Sequence, residues 1–216
     1  MEEKKVPLGA SEGFLEEKRS KFIATLKPVS SAEEAENFVK EVRKKYYDAR
    51  HNCFAYFIDG GAVMRCSDDG EPTGSAGMPI LNVLKSSGIT DMCVVVTRYF
   101  GGILLGTGGL ARAYGGAAKL ALDAAGAAVI KRFALMKMSL GYSEYQKVSS
   151  RLSSYGAAED SADFAEKVTL TVTVPEARAE ELSKAIVDLT GARAEAETVG
   201  FIEKPVPISE NNEVIT

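Results

Sequence analysis

The stretch DMCVVVTRYFGGILLGTGGLARAY, from Asp91 to Tyr114, constrains the fold more than any other part of the chain. Its first part, Met92–Thr97, is a continuous apolar run, so both faces of a strand formed there would be apolar. Such a run is typical of a strand buried on both faces of a sheet. A glycine-rich loop follows, and the pattern then predicts a helix near Gly109–Ala125. Alanines along one face of that helix are small, so we expect the helix to pack closely on the sheet.

A second regular pattern occupies the last third of the chain. Between Val168 and Val174, apolar residues alternate strictly with threonines, which predicts a strand with one buried face. Apolar residues at helical spacing predict one helix before this strand and one after it. Together with the other strands predicted in this part of the chain, they give the order β-α-β-β-α-β, which is the ferredoxin-like arrangement. We therefore predict an α+β protein whose C-terminal domain is ferredoxin-like.

Charge also divides the chain into two parts. The 216 residues contain 26 basic and 30 acidic side chains, a net charge of −4, which excludes a uniformly basic nucleic-acid coat. Residues 1–132 hold 18 basic and 16 acidic side chains, whereas residues 133–216 hold 8 and 14. We therefore predict two domains, 1–132 and 133–216, with the boundary near Arg132.

Cysteine and histidine are too few for the common metal and disulfide frameworks. Cys53, Cys66 and Cys93 form no CxxC pair, and His51 is the single histidine. We therefore predict no metal and no cofactor. The N-terminus has no signal-peptide pattern, and no apolar run approaches the ~20 residues of a membrane span, so we expect a cytoplasmic protein that does not enter a membrane.

The glycine-rich loop is a candidate site for an anion. Gly106, Gly108 and Gly109 would leave backbone N–H groups free at the start of a helix, where the helix dipole favours negative charge. The letters of a dinucleotide fingerprint are present, but they begin nine residues past Thr97, too far from the strand for that motif. The alternative is that these glycines serve only tight turns and close packing.

Basic and aromatic side chains flank the same loop. Arg98 and Tyr99 follow the predicted strand, and Arg112 lies on the predicted helix. An arginine beside an exposed aromatic ring suits phosphate contact together with base stacking. We therefore include these three residues with the glycines in a candidate nucleic-acid or phosphate-binding site. A denser basic group, made of Arg43, Lys44, Lys45 and Arg50, ends the first predicted helix.

An acidic loop is the second candidate site. Asp68, Asp69 and Glu71 could hold Mg²⁺ or act as acid and base, although carboxylates in such loops more often cap turns and helix starts. His51 and Cys53 lie two residues apart on a predicted strand. A nucleophilic pair is conceivable there, but a packed histidine and a buried thiol are the favoured interpretation.

Four segments resemble the IMPACT family and its bacterial, YigZ-like branch. They are RSKFIA at Arg19–Ala24, ARHNCFAY at Ala49–Tyr56, DDGEPTGSAGMPIL at Asp68–Leu81 and VVVTRYFGGILLGTGGLARAY at Val94–Tyr114. The resemblance implies a first domain with the α/β fold shared by GHMP kinases and the fourth domain of elongation factor G. It implies a ferredoxin-like second domain, similar to that factor's fifth. Eukaryotic members of the family bind partners in translational control.

Two functions follow from these observations. The first is a binding module without catalytic activity, which contacts RNA, the ribosome or a translation factor through its N-terminal domain. The absence of a recognisable catalytic constellation favours it. The second is an enzyme or nucleotide binder that uses the loop Gly106–Gly109 with the carboxylates of the acidic loop. The abundance of glycine beside a strand end keeps this alternative open.

The predicted boundary has a direct test. A polypeptide of residues 132–216 should be soluble and should unfold cooperatively, because it contains the complete β-α-β-β-α-β pattern. Circular dichroism during thermal unfolding measures this. A broad, non-cooperative transition would contradict the two-domain prediction.

Overall fold

The computed structural model describes residues 4–208, which contain ten strands in two sheets and five helices. This part of the chain separates into two compact units, residues 4–129 with 206–208 and residues 130–205. The mixed α/β character that the sequence predicted is confirmed. Independent folding of the two halves about Arg132 stays a prediction.

The first unit has its helices and strands at the following bounds: β1 (Lys5–Pro7), β2 (Ser11–Glu17), β3 (Ser20–Pro28), α1 (Ala32–Lys45), β4 (His51–Ile58), β5 (Val63–Ser67), α2 (Gly77–Ser86), β6 (Met92–Tyr99) and α3 (Gly106–Ala125). Five of these strands form an antiparallel sheet in the order β2-β3-β6-β4-β5. Strand β6 is therefore central. Helix α3 begins at Gly106, so the glycines that were predicted to form a loop form the first turn of a helix.

Strand β6 is buried on both faces, as its apolar run predicted. Val94 and Val96 face α2 and α3, whereas Cys93 and Val95 face α1. All four side chains are inaccessible to solvent. The sheet is therefore enclosed between helices, and its polar side chains can approach a ligand only near the strand ends.

Helix α3 lies directly on the backbone of β2. A Cβ atom at Gly13 would stand 2.4 Å from the backbone nitrogen of Ala121 and 2.8 Å from the carbonyl oxygen of Ala117. The small alanine face of α3 makes this approach possible, and no side chain fits between the two elements. The sequence pattern did not predict β2, because SEGFLEE is an edge strand with few apolar residues.

The second unit contains most of β7 and the elements after it: β7 (Ala127–Leu140), α4 (Tyr142–Ser149), β8 (Ala158–Phe164), β9 (Val168–Pro175), α5 (Ala179–Thr190) and β10 (Glu197–Pro207). Strand β7 pairs with β9 and with β10, and β8 pairs with β9. Apolar residues of β7 and β9 form a core with α4 and α5. The first three residues of β7 pair instead with β1, within the first unit.

The contact between α3 and β2 makes Gly13 sensitive to substitution. Gly13→Ala should destabilise the protein by about 1–3 kcal/mol, because the helix and strand must move apart to admit one methyl group. Gly9→Ala is the matched control, since a Cβ there meets nothing within 4 Å. Urea unfolding of both variants measures the difference, and equal stability of the two would contradict the packing described here.

Candidate functional site

The register of the central sheet brings Arg98 beside His51. Strand β6 is antiparallel to both of its neighbours, and Arg98 lies opposite His51 on β4 and opposite Phe22 on β3. Residues directly opposite one another point to the same face of a sheet. All three side chains therefore lie on the face covered by α2 and α3, at the carboxyl end of β6.

A buried carboxylate meets Arg98 on this face. Glu71 follows β5, and its Oε1 accepts hydrogen bonds from the Arg98 Nη1, at 2.6 Å, and from the Tyr114 hydroxyl, at 2.8 Å. The side chains of Glu71 and Arg98 are only 4% and 8% exposed. A carboxylate this deeply buried requires charged and hydrogen-bonding partners. The ion pair therefore joins the acidic loop to the central strand.

Tyr114 supports Glu71 from the side of helix α3. Its ring meets Phe22 edge to face, with 5.1 Å between the ring centroids. Burial, with the neighbouring Cys53 and Glu71, raises the pKa of the Tyr114 phenol far above its usual value. The hydroxyl therefore stays protonated and donates a hydrogen bond to the Glu71 carboxylate.

His51 is held in one tautomer by the same loop. Its Nδ1 lies 2.8 Å from the carbonyl oxygen of Asp69, and a carbonyl can only accept, so Nδ1 carries the proton. Its Nε2 lies 3.9 Å from the Glu71 Oε1. Gly70, at a φ of +87°, lies against the ring, where a Cβ would come within 3.4 Å. His51 therefore adjoins the ion pair instead of packing within the core.

The other two carboxylates of the acidic loop have structural partners. Asp68 accepts hydrogen bonds from the backbone N–H groups of Gly74, Ala76 and Gly77, at the start of α2. Burial alone would raise the pKa of Asp68, but these three hydrogen bonds hold it below its ordinary value.

Asp69 pairs with Arg43 at 2.5 Å and accepts from the backbone N–H of Asn52 at 2.7 Å. Asp68 therefore caps the start of α2, whereas Asp69 connects the acidic loop to α1 and β4. Among residues 4–208, no group of three or more histidine, cysteine, aspartate or glutamate side chains is arranged to hold a metal ion.

A cleft of about 230 Å³ opens beside the ion pair. It is lined by Arg50, His51, Glu71, Arg98, Phe100 and Leu104. Phe100 and Leu104 are 55% and 82% exposed, and they give the cleft an apolar rim. The Arg98 guanidinium lies 5.6 Å from the Phe22 ring centroid and 5.5 Å from that of Phe100. Both distances are within the range of cation–π attraction.

A second depression, of about 450 Å³, shares Phe100 with the cleft. It is also lined by Arg19, Lys21, Ile23 and Tyr99. The Tyr99 hydroxyl donates to Asp48 at 2.7 Å, and this bond raises the pKa of Tyr99 to about 12. The Tyr99 phenol therefore remains neutral at physiological pH.

Gly101 anchors the loop that carries Phe100 and Leu104. Its backbone N–H donates to the Ser20 hydroxyl at 3.1 Å. A Cβ at this position would stand 2.1 Å from the carbonyl carbon of Arg19. Only glycine permits this approach, so the loop is fixed against the turn between β2 and β3.

The structure brings together some of the residues of the candidate sites and separates others. Arg98 and Glu71, which came from two different sequence motifs, form one ion pair, and Tyr99 borders the adjacent depression. Gly106, Gly108 and Gly109 lie in the first turn of α3, and Arg112 is exposed on the same helix. None of these last four residues lines the cleft.

Cys53 does not form a nucleophilic pair with His51. Its Sγ donates to the carbonyl oxygen of Asp68 at 2.9 Å, and burial raises the pKa of the thiol to about 12. A thiol with this pKa is almost entirely protonated at neutral pH and is a poor nucleophile.

Six lining residues were absent from the candidate sites drawn from the sequence: Arg19, Lys21, Ile23, Arg50, Phe100 and Leu104. The signal for Phe100 and Leu104 was present, since two large apolar residues in a glycine-rich loop have no core to enter. The sequence predicted a strand from Lys21 to Val29, and only the register of β3 against β6 places Lys21 opposite Tyr99. Arg19 lies in the turn before β3 and reaches the depression from there.

Two family models match separate parts of the chain. The model of the Impact N-terminal domain matches residues 18–122, and that of a domain of unknown function, DUF1949, matches residues 138–193. IMPACT family member YvyE of Bacillus subtilis is 36% identical over 191 residues, which are 87% of this chain and 88% of that protein.

Two further matches cover most of the chain. IMPACT family member YigZ of Escherichia coli is 36% identical over 176 residues, which are 80% of this chain and 86% of that protein. A crystal structure described as that of an hypothetical protein has 33% identity and a TM-score of 0.59 over 93% of this chain and 98% of that one. In the described part of the chain, no helix has the length and apolar character needed to cross a membrane.

The hydrogen bonds to Asp68 predict a dependence of stability on acid pH. Because its pKa is lowered on folding, the ionised carboxyl stabilises the protein fully above pH ~3.8, and this contribution is lost as the pH falls through the folded-state pKa. Asp68→Asn should cost about 0.5–2 kcal/mol at neutral pH, the usual cost of losing a helix N-terminal cap. The difference from wild type should shrink below pH ~3.8.

Scanning calorimetry between neutral and acid pH measures this difference. Asp163→Asn, at an exposed position of β8, is the control and should leave stability unchanged at neutral pH. A destabilisation by Asp68→Asn that stays constant down to the lowest pH would contradict the role assigned to the carboxylate.

Proposed function

The chain belongs to the IMPACT family, and from the geometry of its first unit we propose that it is a binding module for single-stranded RNA linked to translation. The observation that carries the proposal is the basic-aromatic surface, which we define as the cleft and the second depression together. Two concave regions that share Phe100 provide cationic side chains and an exposed aromatic ring in one place.

The cations of this surface are available to phosphates. Arg19, Lys21 and Arg50 are exposed, and none forms an ion pair with another described residue. Arg98 differs, because Glu71 neutralises its charge. Exposed cations beside a concave surface attract the backbone of a nucleic acid and make its affinity depend on salt. The net charge of +2 over residues 1–132 agrees with this assignment to the first unit.

The aromatic ring at the centre suits single strands more than duplexes. Phe100 is 55% exposed at a position where its loop is fixed by Gly101. Unpaired bases stack on such rings, whereas bases inside a duplex are already stacked on one another. The proposed ligand is therefore single-stranded.

We further propose that the two units adopt the folds that the sequence resemblance implied. Strand β7 lies between β9 and β10, and β8 pairs with β9, which supports a ferredoxin-like second unit. The first unit, with an antiparallel sheet between helices, supports the fold shared by GHMP kinases and the fourth domain of elongation factor G. This likeness by itself is a weak argument for function, and the proposal depends on the surface.

The surface leads to a quantitative binding test. Phe100→Ala should weaken RNA binding by about 1–3 kcal/mol with little change in the log–log salt dependence, because a stacking contact carries no charge. Lys21→Gln and Arg50→Gln should each reduce the salt slope by about 0.7, as expected for the loss of one phosphate contact to a single strand. Fluorescence anisotropy with a labelled oligonucleotide at several salt concentrations measures both effects.

Matched controls come from the second unit. Phe164 is also 55% exposed, and Lys147 is an exposed lysine on α4, so Phe164→Ala and Lys147→Gln should leave binding unchanged. Arg98→Ala is unsuitable, because it would leave the Glu71 carboxylate buried without its cation and would destabilise the fold. No binding by the wild-type protein at low salt would overturn the RNA proposal.

A further inference from the structure

We propose that the cleft binds one guanine base, an inference that rests on the proposed RNA binding and defines its specificity. The cleft measures about 230 Å³, below the roughly 300–1,000 Å³ typical of pockets for drug-sized ligands. A single planar base is a ligand of suitable size. The pattern of donors and acceptors on its polar wall selects among the bases.

Glu71 supplies an acceptor to the cleft. Its Oε1 is occupied by Arg98 and Tyr114, whereas no residue among 4–208 donates to its Oε2. Since Tyr114 and Arg98 hold the carboxylate in place, the second oxygen is preorganised to accept an N–H group from a ligand. A carboxylate in a mostly buried setting makes a stronger hydrogen bond than an uncharged acceptor.

Arg98 supplies a donor next to this acceptor. Only its Nη1 donates to a described residue, and its buried Nε has no partner within the described chain. Arg98 lines the cleft, so an acceptor on a ligand can meet guanidinium N–H groups that Glu71 leaves free. The guanidinium retains donors beyond the one that Glu71 uses.

His51 supplies a second acceptor beside Glu71. Because Nδ1 donates to the carbonyl oxygen of Asp69, Nε2 is the ring nitrogen that can present a lone pair to a ligand. Glu71 Oε1 lies 2.6 Å from Arg98 Nη1 and 3.9 Å from His51 Nε2, so the three side chains form one cluster. The polar wall therefore combines one donor with two acceptors.

Guanine complements this set of one donor and two acceptors, and the other bases do not. Its Watson–Crick edge presents the O6 acceptor, the N1–H donor and the N2 amino donor. Cytosine presents one donor and two acceptors, uracil presents two acceptors and one donor, and adenine presents the N6 amino donor and the N1 acceptor with only a C–H group at its third position. The exposed Phe100 ring gives the base an apolar contact, and Arg50 at the rim is placed for the adjoining phosphate.

The test uses uridine oligonucleotides that carry one variable base at the centre. Guanosine should bind more tightly than adenosine, cytidine or uridine, by about 5- to 150-fold, the discrimination expected of a good base contact. Inosine lacks only the N2 amino group, so it should bind about 2- to 10-fold more weakly than guanosine. Fluorescence anisotropy at one fixed salt concentration measures all five ligands.

Two variants locate the effect. Glu71→Gln should abolish the preference for guanosine, because its amide replaces an acceptor with a donor. His51→Ala should bind guanosine and inosine equally, because it removes the partner of the N2 amino group. His51→Ala keeps the Glu71–Arg98 pair intact and so remains informative if Glu71→Gln fails to fold. Glu166→Gln, at an exposed position of the second unit, is the control and should keep the full preference.

The outcomes separate this inference from the function on which it rests. Salt-dependent RNA binding with equal affinity for all central bases would overturn the guanine site and leave RNA binding intact. If no RNA binds at low salt, the proposed function fails, and calorimetry with guanosine and inosine monophosphates then decides the site alone. Tighter binding of the guanosine nucleotide, lost in Glu71→Gln, would support a guanine site filled by a free nucleotide, and no binding of either nucleotide would overturn it.

Discussion

A carboxylate can remain ionised in a protein interior only where cations and hydrogen-bond donors replace its lost hydration. Glu71 meets this condition through Arg98 and Tyr114, which come from β6 and α3. Three elements are therefore joined at a single oxygen atom. The contact ties the acidic loop to the end of β6 and to α3, and the cleft lies beside it.

Strand register decides which side chains surround that carboxylate. His51, Arg98 and Phe22 lie opposite one another on β4, β6 and β3. A shift of one residue in either pairing would send a side chain to the opposite face, where α1 packs. Such a shift would also separate Arg98 from Glu71 and leave the buried carboxylate without its cation. The chemistry of the cleft therefore depends on the register of the central sheet.

The sequence was most informative where packing alone decides the structure. The run MCVVVT predicted a doubly buried strand, and the small face of α3 predicted close contact with a sheet. Strand β2 was missed, because an edge strand needs few apolar residues. The candidate site was divided between two motifs, since Glu71 and Arg98 are separated in sequence and no local pattern reports their contact. The positions of Phe100 and Leu104 depend on Gly101, which holds their loop against the β2–β3 turn, and no sequence pattern predicts that contact.

The place of Phe100 between two concave regions has a spectroscopic consequence. The chain contains no tryptophan, so Phe100→Trp would introduce its only indole. The fluorescence of that indole could be measured without a contribution from any other tryptophan. The loop is anchored and the ring is half-exposed, so the larger side chain has solvent to occupy and no core to disturb. The emission wavelength of that indole would depend on the polarity of both concave regions. Its change would therefore report ligand binding to either region in real time.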